Sequence, residues 1–366
     1  MGPDSSDLPW LVYGPGALGR EISELATRLG LSVILGGRSE AATRYAAQRI
    51  RVPWRSGSVV LRPETLLTGV AGVINTAGPY SSTAVPLMDA CLRAGVHYVD
   101  LANDAATHVA AWDRSEEAAS QGMAIVCGAG VGTWLTERLV AQVASLCESP
   151  SSVTVYRTPS NGNVKSRGVH ASEREILASR PIVVRAGERT ALTFAHRVVA
   201  TPAPRHGKSA VVIGSGEVIA LQQATGLSEI TSAAVVPNSA LTVTVGLALR
   251  IAQARTSAAA QRLTWTNARF DPERQSQADG PRQRQPSRVL VQVMGSHEQV
   301  ASGELTYVSG TTISSHSAIA VRQAIVDQTL IGTHTAYQVL GDRCLDHAPE
   351  PAIRLHAGSL RELSVR

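Results

Sequence analysis

The sequence predicts an α/β protein: an N-terminal doubly wound parallel sheet, then a second α+β domain with a mixed or antiparallel sheet. Three observations carry this reading. Apolar strand-like runs alternate with helix-period segments over roughly the first third of the 366 residues. A Gly14-Pro15-Gly16-Ala17-Leu18-Gly19 turn stands between the first such run and the first helix. From about Val153 the texture changes to Val-, Thr- and Ile-rich segments separated by Pro, Gly and Ser. Short links between alternating strands and helices lead to right-handed crossovers and a parallel sheet. The later pattern favours antiparallel pairing.

In chain order, Leu8 to Tyr13 is the first expected strand and Ala17 to Leu29 the first helix. Ser32 to Leu35 is the second strand, Ala41 to Arg49 the next helix, and a third strand falls near Ser58 to Leu61. Val70 to Ile74 reads as the fourth strand. The helix Thr83 to Ala94 has Ser81, Ser82 and Thr83 as cap candidates, Val85, Met88 and Leu92 on one side, and Gly95 placed to end it. His97 to Leu101 and Ala124 to Cys127 are strands, with a helix including Glu116 to Gln121 between them and a Gly128 to Gly132 turn after. Beyond lie expected strands at Val153 to Arg157, Thr190 to Ala200, Ala210 to Ile213, Ala240 to Leu249, Arg288 to Gly295 and Gly303 to Ser309. Ser317 to Gly332 is the closing helix. This length suits two domains, with expected bounds 1–135 for the first, 136–330 for the second and a C-terminal segment 331–366.

The glycine turn has a chemical meaning where it stands. Gly14 permits a tight turn, Gly16 lets the backbone approach a pyrophosphate, and Gly19 allows the helix to pack closely on the strand. The helix start offers free N–H groups, from Ala17 and Leu18 onward, and the positive end of its dipole. The second strand ends in Gly36-Gly37-Arg38-Ser39. A carboxylate there would bind a ribose 2′-hydroxyl and favour NAD, whereas an arginine accommodates a 2′-phosphate. Arg38, with Ser39 beside it, therefore predicts NADP(H). The fourth strand runs into Asn75-Thr76-Ala77-Gly78-Pro79-Tyr80, a small, stiff turn at the ligand side of a Rossmann-type sheet.

Together with Gly95-Val96-His97-Tyr98-Val99-Asp100, these segments resemble the NADP-binding domain of saccharopine dehydrogenase-like reductases, over roughly the first 135 residues. The resemblance implies an NADPH-dependent reductase acting on imines or, as in the trans-acting enoyl reductase branch, on activated carbon–carbon double bonds. It also implies that the C-terminal helix returns to the first domain. The second domain is short, and no set of arginines for an amino-dicarboxylate is evident. The expected substrate is therefore specialised, as in secondary metabolism.

Several classes are excluded. No apolar run is long enough to span a bilayer, and the polar start Met1 to Asp7 has no secretory character. Cys91, Cys127, Cys147 and Cys344 lack C-x-x-C spacing and read as free thiols of a cytoplasmic protein. The net charge of +5 owes much to Arg269, Arg274, Arg282, Arg284 and Arg288, with only Phe270 interleaved, so nucleic-acid binding is not expected. That stretch reads as a solvated loop, or as a docking surface for an acidic acyl-carrier protein. No H-E-x-x-H helix points to a metal. A small-molecule substrate is the expected partner, and a homodimer is left open.

A nicotinamide enzyme must hold its substrate near the cofactor and manage one proton. Tyr80, at the fourth-strand turn, is the first candidate donor, against a role in covering the sheet edge. Asp100 closes the fifth strand and is read either as a substrate-orienting carboxylate or as a helix cap, an ambiguity that Asn103 and Asp104 share. Lys165 and His170, in the polar segment after Asn161, are candidates from the second domain. The rival reading is a non-catalytic NADP-binding sensor or scaffold, since no acid–base pair stands out.

Overall fold

The computed structural model describes residues 8–158, 179–192, 209–236, 286–343 and 347–359, with positions 172, 175, 176, 197, 198 and 345 between them. The first sheet contains β1 (Trp10–Tyr13), β2 (Val33–Gly37), β3 (Trp54–Ser56), β4 (Gly72–Asn75), β5 (His97–Asp100), β6 (Ala124–Cys127) and β15 (Gly332–Thr335), in the order β15-β6-β5-β4-β1-β2-β3. Every pairing in it is parallel. Parallel strands buried on both faces read as unbroken apolar runs, and alternate residues serve opposite layers. Trp10, Val12, Ile74, Val99 and Val126 enter one cluster. Leu11, Tyr13, Val73, Tyr98 and Ile125 enter the other.

Helices α1 (Ala17–Arg28), α2 (Glu40–Ile50), α3 (Glu64–Leu67), α4 (Tyr80–Ala94), α5 (Ala105–Trp112), α6 (Ser115–Ser120) and α7 (Trp134–Ala144) connect or follow these strands. The closing helix runs Gly310–Gln328 rather than Ser317 to Gly332, the expected strand Thr190 to Ala200 is the two strands Glu188–Ala191 and Arg197–Val198, and two further departures adjoin the cleft. The third strand is Trp54–Ser56, because Ser58 instead accepts from the Val60 and Leu61 amides in a turn. Helix α4 starts at Tyr80, placing Ser81, Ser82 and Thr83 inside its first turn, and no side chain caps it. Thr83 instead donates back to the Ala77 carbonyl at 2.6 Å. Gly95 ends α4 at φ 64°. Helix α7 was not foreseen, since the polar Thr136, Glu137 and Arg138 are among its buried positions and interrupt an apolar stripe.

The second sheet is mixed. It orders β10 (Arg197–Val198), β11 (Ser209–Val212), β12 (Glu229–Val236), β7 (Ser152–Thr158), β13 (Ser287–Met294), β14 (Gln299–Tyr307) and β16 (Ala352–Ser359). A side pair, β8 (Ile182–Arg185) and β9 (Glu188–Ala191), joins it through β12. The β12–β7 pairing is parallel and the β7–β13, β13–β14 and β14–β16 pairings antiparallel. The expected strand Ala240 to Leu249 lies outside the described residues.

Helix α8 (Gly216–Thr225) packs against α5, joining the two halves. Helix α9 (Gly310–Gln328) packs on α1, and its chain continues into β15 of the first sheet, then α10 (Ala336–Leu340), before β16 returns to the second. One apolar cluster consequently runs from Trp10 and Val12 through Leu135 and Leu139 of α7 to Val155 and Val291.

Candidate active site

The carboxyl ends of β1, β2 and β4 meet at a cleft of about 340 Å³ lined by Tyr13, Gly14, Pro15, Arg38, Ser39 and Gly78, among others. The strand order reverses between β1 and β4, where open parallel sheets bind their ligands. Gly14 has φ 125°, and a Cβ on it would lie 2.5 Å from Thr76 Oγ1. A Cβ on Gly19 would strike the Gly14 carbonyl, so α1 sits against the strand only because this residue is glycine. Gly16 differs: its missing Cβ points into open space, with no atom beyond its own chain neighbours within 4 Å. Helix α1 has no capping side chain and no acidic residue in its first turn. Free backbone donors beside empty space suit a pyrophosphate.

At the end of β2, a Cβ on Gly37 would lie 2.5 Å from Thr43 Oγ1 and 2.7 Å from the Pro15 ring. The position where a ribose-reading carboxylate would stand thus has no room for any side chain. Arg38 is exposed at the cleft instead. Ser39 lines the same wall while its hydroxyl caps α2 by accepting from Ala42 N. Ser58, Val59 and Val60 complete this end, a wall the sequence reading took for a strand. The observation that the chain must turn after β3 at this same sheet edge would have located it.

At the other end, Ala77, Gly78 and Pro79 line the cleft, with a cis Gly78–Pro79 peptide. Thr76 Oγ1 donates to the Tyr13 and Gly14 carbonyls at 3.0 and 3.1 Å, tying this turn to the glycine turn. Asn75 is fully buried and holds the turn from below. Its Oδ1 accepts from Ala77 N at 3.1 Å, and its Nδ2 donates to the Tyr98 hydroxyl at 3.1 Å. Tyr98 donates in turn to Asp100 Oδ2 at 2.9 Å. Asp100 Oδ1 accepts from Ala102 N and Gly128 N, both at 3.0 Å.

Asp100 is thus engaged on both oxygens and has no exposed surface, and burial raises its pKa. The cap of α5 is Asp104, which accepts from Thr107 N at 2.9 Å and Thr107 Oγ1 at 3.0 Å. Tyr80 is 8% exposed. Burial, then the Asp100 and Asp104 charges, push its phenol well above its ordinary pKa, so it stays protonated. Cys127, which sequence reasoning passed over, places its Sγ 3.5 Å from Asp100 Oδ2. The structure therefore gathers Tyr80 and Asp100 behind the Ala77 turn. Lys165 and His170 lie outside the described residues. From the second domain, Glu175 accepts from Ser81 Oγ at 2.8 Å; burial, and then the Asp104 charge, raise its pKa.

Beside this end, the halves of the molecule are bonded together. Gly216 N donates to the Asn103 carbonyl at 3.0 Å, and Ser215 Oγ to Asn103 Oδ1 at 3.3 Å. Arg157 of β7 pairs with the fully buried Glu217 of α8 and also reaches the Gly132 carbonyl and Thr136. Ser232 donates to Glu217 Oε1 at 2.5 Å.

A switch-point cleft with an uncapped helix start, an exposed arginine at one end and no room for a carboxylate beside it suits a dinucleotide that carries a 2′-phosphate. Residues 10–126 match the family model described as the saccharopine dehydrogenase NADP binding domain. Over those residues the chain is similar to that family, and the match makes them an NADP(H)-binding domain. Among solved structures, apo saccharopine dehydrogenase (L-Glu forming) from Saccharomyces cerevisiae is similar at 11% identity, over 96% of this chain and 100% of that one, with a TM-score of 0.59. The likeness is one of fold. A biliverdin reductase from Synechocystis sp. PCC 6803 is more distant, at 8% identity over 88% of this chain and 92% of its own, with a TM-score of 0.43. No curated protein matches the chain in sequence.

Proposed function

We propose that the chain uses NADPH to reduce a C=N bond or an activated C=C bond of a small molecule in specialised metabolism. The observation that carries this reading is the course of the cleft. It runs from Arg38 past Gly16 to the Ala77-Gly78-Pro79 turn, and the adjoining Ser81 meets Glu175 of the second domain. Substrate is held where the two halves face each other. The cofactor supplies the hydride.

The protein's own part is to seat the ring and to provide one proton. Arg38 and Ser39 bind the 2′-phosphate, while Gly14 to Gly19 receive the pyrophosphate. Asn75 and Thr76 hold the Ala77 to Pro79 turn in place. Tyr80 is the donor nearest that turn in the first domain, kept protonated by its burial and by the acids around it. Asp100, fully buried and bonded on both oxygens, does not reach substrate as the sequence expectation had it, and Lys165 or His170 completes the site from the second domain. A general acid contributes about 10²- to 10⁴-fold, so Tyr80→Phe lowers kcat within that range with little change in NADPH affinity.

The same reading places the protein in the cytoplasm. Among the described residues, no helix is long and apolar enough to cross a membrane. The deciding experiment follows NADPH absorbance with a panel of cyclic imines against enoyl thioesters, free and carrier-bound. Turnover of one class identifies the bond reduced. No NADPH consumption with either class overturns the proposal.

A further inference from the structure

The buried groups behind the Ala77 turn form a chain of hydrogen bonds with a defined direction. Asp100, as a carboxylate, offers only acceptors. Four donors converge on it: the Tyr98 hydroxyl at 2.9 Å, the Ala102 and Gly128 amides at 3.0 Å and the Cys127 thiol at 3.5 Å. The single phenolic proton of Tyr98 is therefore committed to Asp100, and its oxygen can only accept from Asn75. That requirement fixes the Asn75 amide with Nδ2 toward Tyr98 at 3.1 Å and Oδ1 toward Ala77 N at 3.1 Å. An amide is nearly symmetric in shape, and only its partners decide which way it points. Thr83 then takes the other side of the same residue, donating to the Ala77 carbonyl at 2.6 Å.

We infer that Tyr98 and Asn75 are positioning residues, with the Asp100 charge as their anchor, and that together they set the Ala77 peptide on which the nicotinamide end of NADP(H) rests. Asn75, Tyr98 and Asp100 are all fully buried. They act on the cofactor through the backbone of the turn. Tyr98→Phe removes the commitment and leaves Asn75 Nδ2 only its longer bond to Thr83 Oγ1 at 3.4 Å, so the Ala77 N acceptor is held less firmly. Asp100→Asn frees the Tyr98 proton to point at Asn75, which favours the flipped amide and turns its NH₂ toward the Ala77 N–H. Coupled polar networks of this kind lose their function as a unit.

The test rests on the NADP(H) seat described above and not on which bond is reduced. Dissociation constants are measured by fluorescence titration for NADPH and for adenosine 2′,5′-bisphosphate, which occupies only the Arg38 end. In Tyr98→Phe and in Asp100→Asn, NADPH is expected to weaken tenfold or more, while the bisphosphate changes less than twofold. The double variant is expected to be no weaker than the weaker single one. Should either variant fold poorly, the other reads the same split. An NADPH affinity within twofold of the parent protein overturns the inference. So does an equal loss of both ligands, the mark of a merely structural role.

Discussion

Over β1, β2 and β4 the carboxyl edge of the first sheet is lined by backbone and glycine, whereas over β5, β6 and β15 the same edge is filled by side chains that bond one another. The first half keeps the amides of α1 uncapped and leaves open space at Gly16. The second half encloses Asp100, Glu217 and Arg157 and satisfies them from within the protein. The difference follows from what each half must receive. A surface that accepts phosphate leaves donors without intramolecular partners, while a sealed one pairs its buried polar groups. Among the described residues, Glu137 is the one carboxylate exception in the sealed half. Its carboxylate is buried against Thr335 and Tyr337 without a well-formed hydrogen bond, and burial lifts its pKa to about 8.

Four substitutions sharpen or break this contrast. Gly16→Val has the largest effect: no measurable NADPH binding, with circular dichroism and melting temperature near the parent's, because the added side chain starts into open space and fills the pyrophosphate position. Normal binding in that variant would reduce the open half to an ordinary turn. Glu217→Ala does the reverse. Stranding Arg157 costs about 3–5 kcal/mol of folding stability, the usual loss when one partner of a buried pair is removed. The folded fraction keeps its NADPH affinity, as urea unfolding and titration will show.

Next in size, Arg38→Ala weakens NADPH by about 1.5–3 kcal/mol, the worth of a hydrogen bond to a charged group, and leaves NADH nearly unchanged. Equal NADPH and NADH affinities in the parent protein would contradict the role given to Arg38. The smallest effect belongs to Glu137→Gln. A carboxyl whose folded pKa is raised binds its proton more tightly when folded, so its contribution is present in acid and is lost as pH rises from the ordinary carboxyl range through about 8. The variant therefore matches the parent near pH 5 and is more stable by about 1–3 kcal/mol above pH 8. Melting curves across that range that stay parallel for the two proteins would remove Glu137 as the exception.

How far the sequence revealed these halves depends on the distance between the residues that cooperate. The glycine turn and Arg38 were legible because each requirement falls within a few consecutive residues after a strand. The relay was not, since Asn75, Tyr98 and Asp100 belong to adjacent strands and meet only when β4 and β5 pair. Asp100 was singled out for its place at a strand end, yet its backbone and thiol partners could not be read from that place. Arg157 and Glu217 are separated by 60 residues. The available signal was a lone carboxylate in the otherwise apolar opening of α8, Gly216-Glu217-Val218-Ile219-Ala220. Helix α7 escaped because its buried positions include the polar Thr136, Glu137 and Arg138, which interrupt an apolar stripe.

The crowding at Gly37 also limits how this enzyme can be re-engineered. The common route from NADP to NAD places an acidic residue at the tip of the second strand, to bond the free ribose hydroxyls. Here that residue would push into the Pro15 ring and into Thr43, which is itself buried and donates to the Ser39 carbonyl at 2.7 Å. Any exchange of coenzyme must start one residue later, at Arg38, where a carboxylate would stand in solvent at the cleft rim. Shortening Thr43 relieves one of the two collisions, but the Pro15 ring, fixed within the phosphate turn itself, remains.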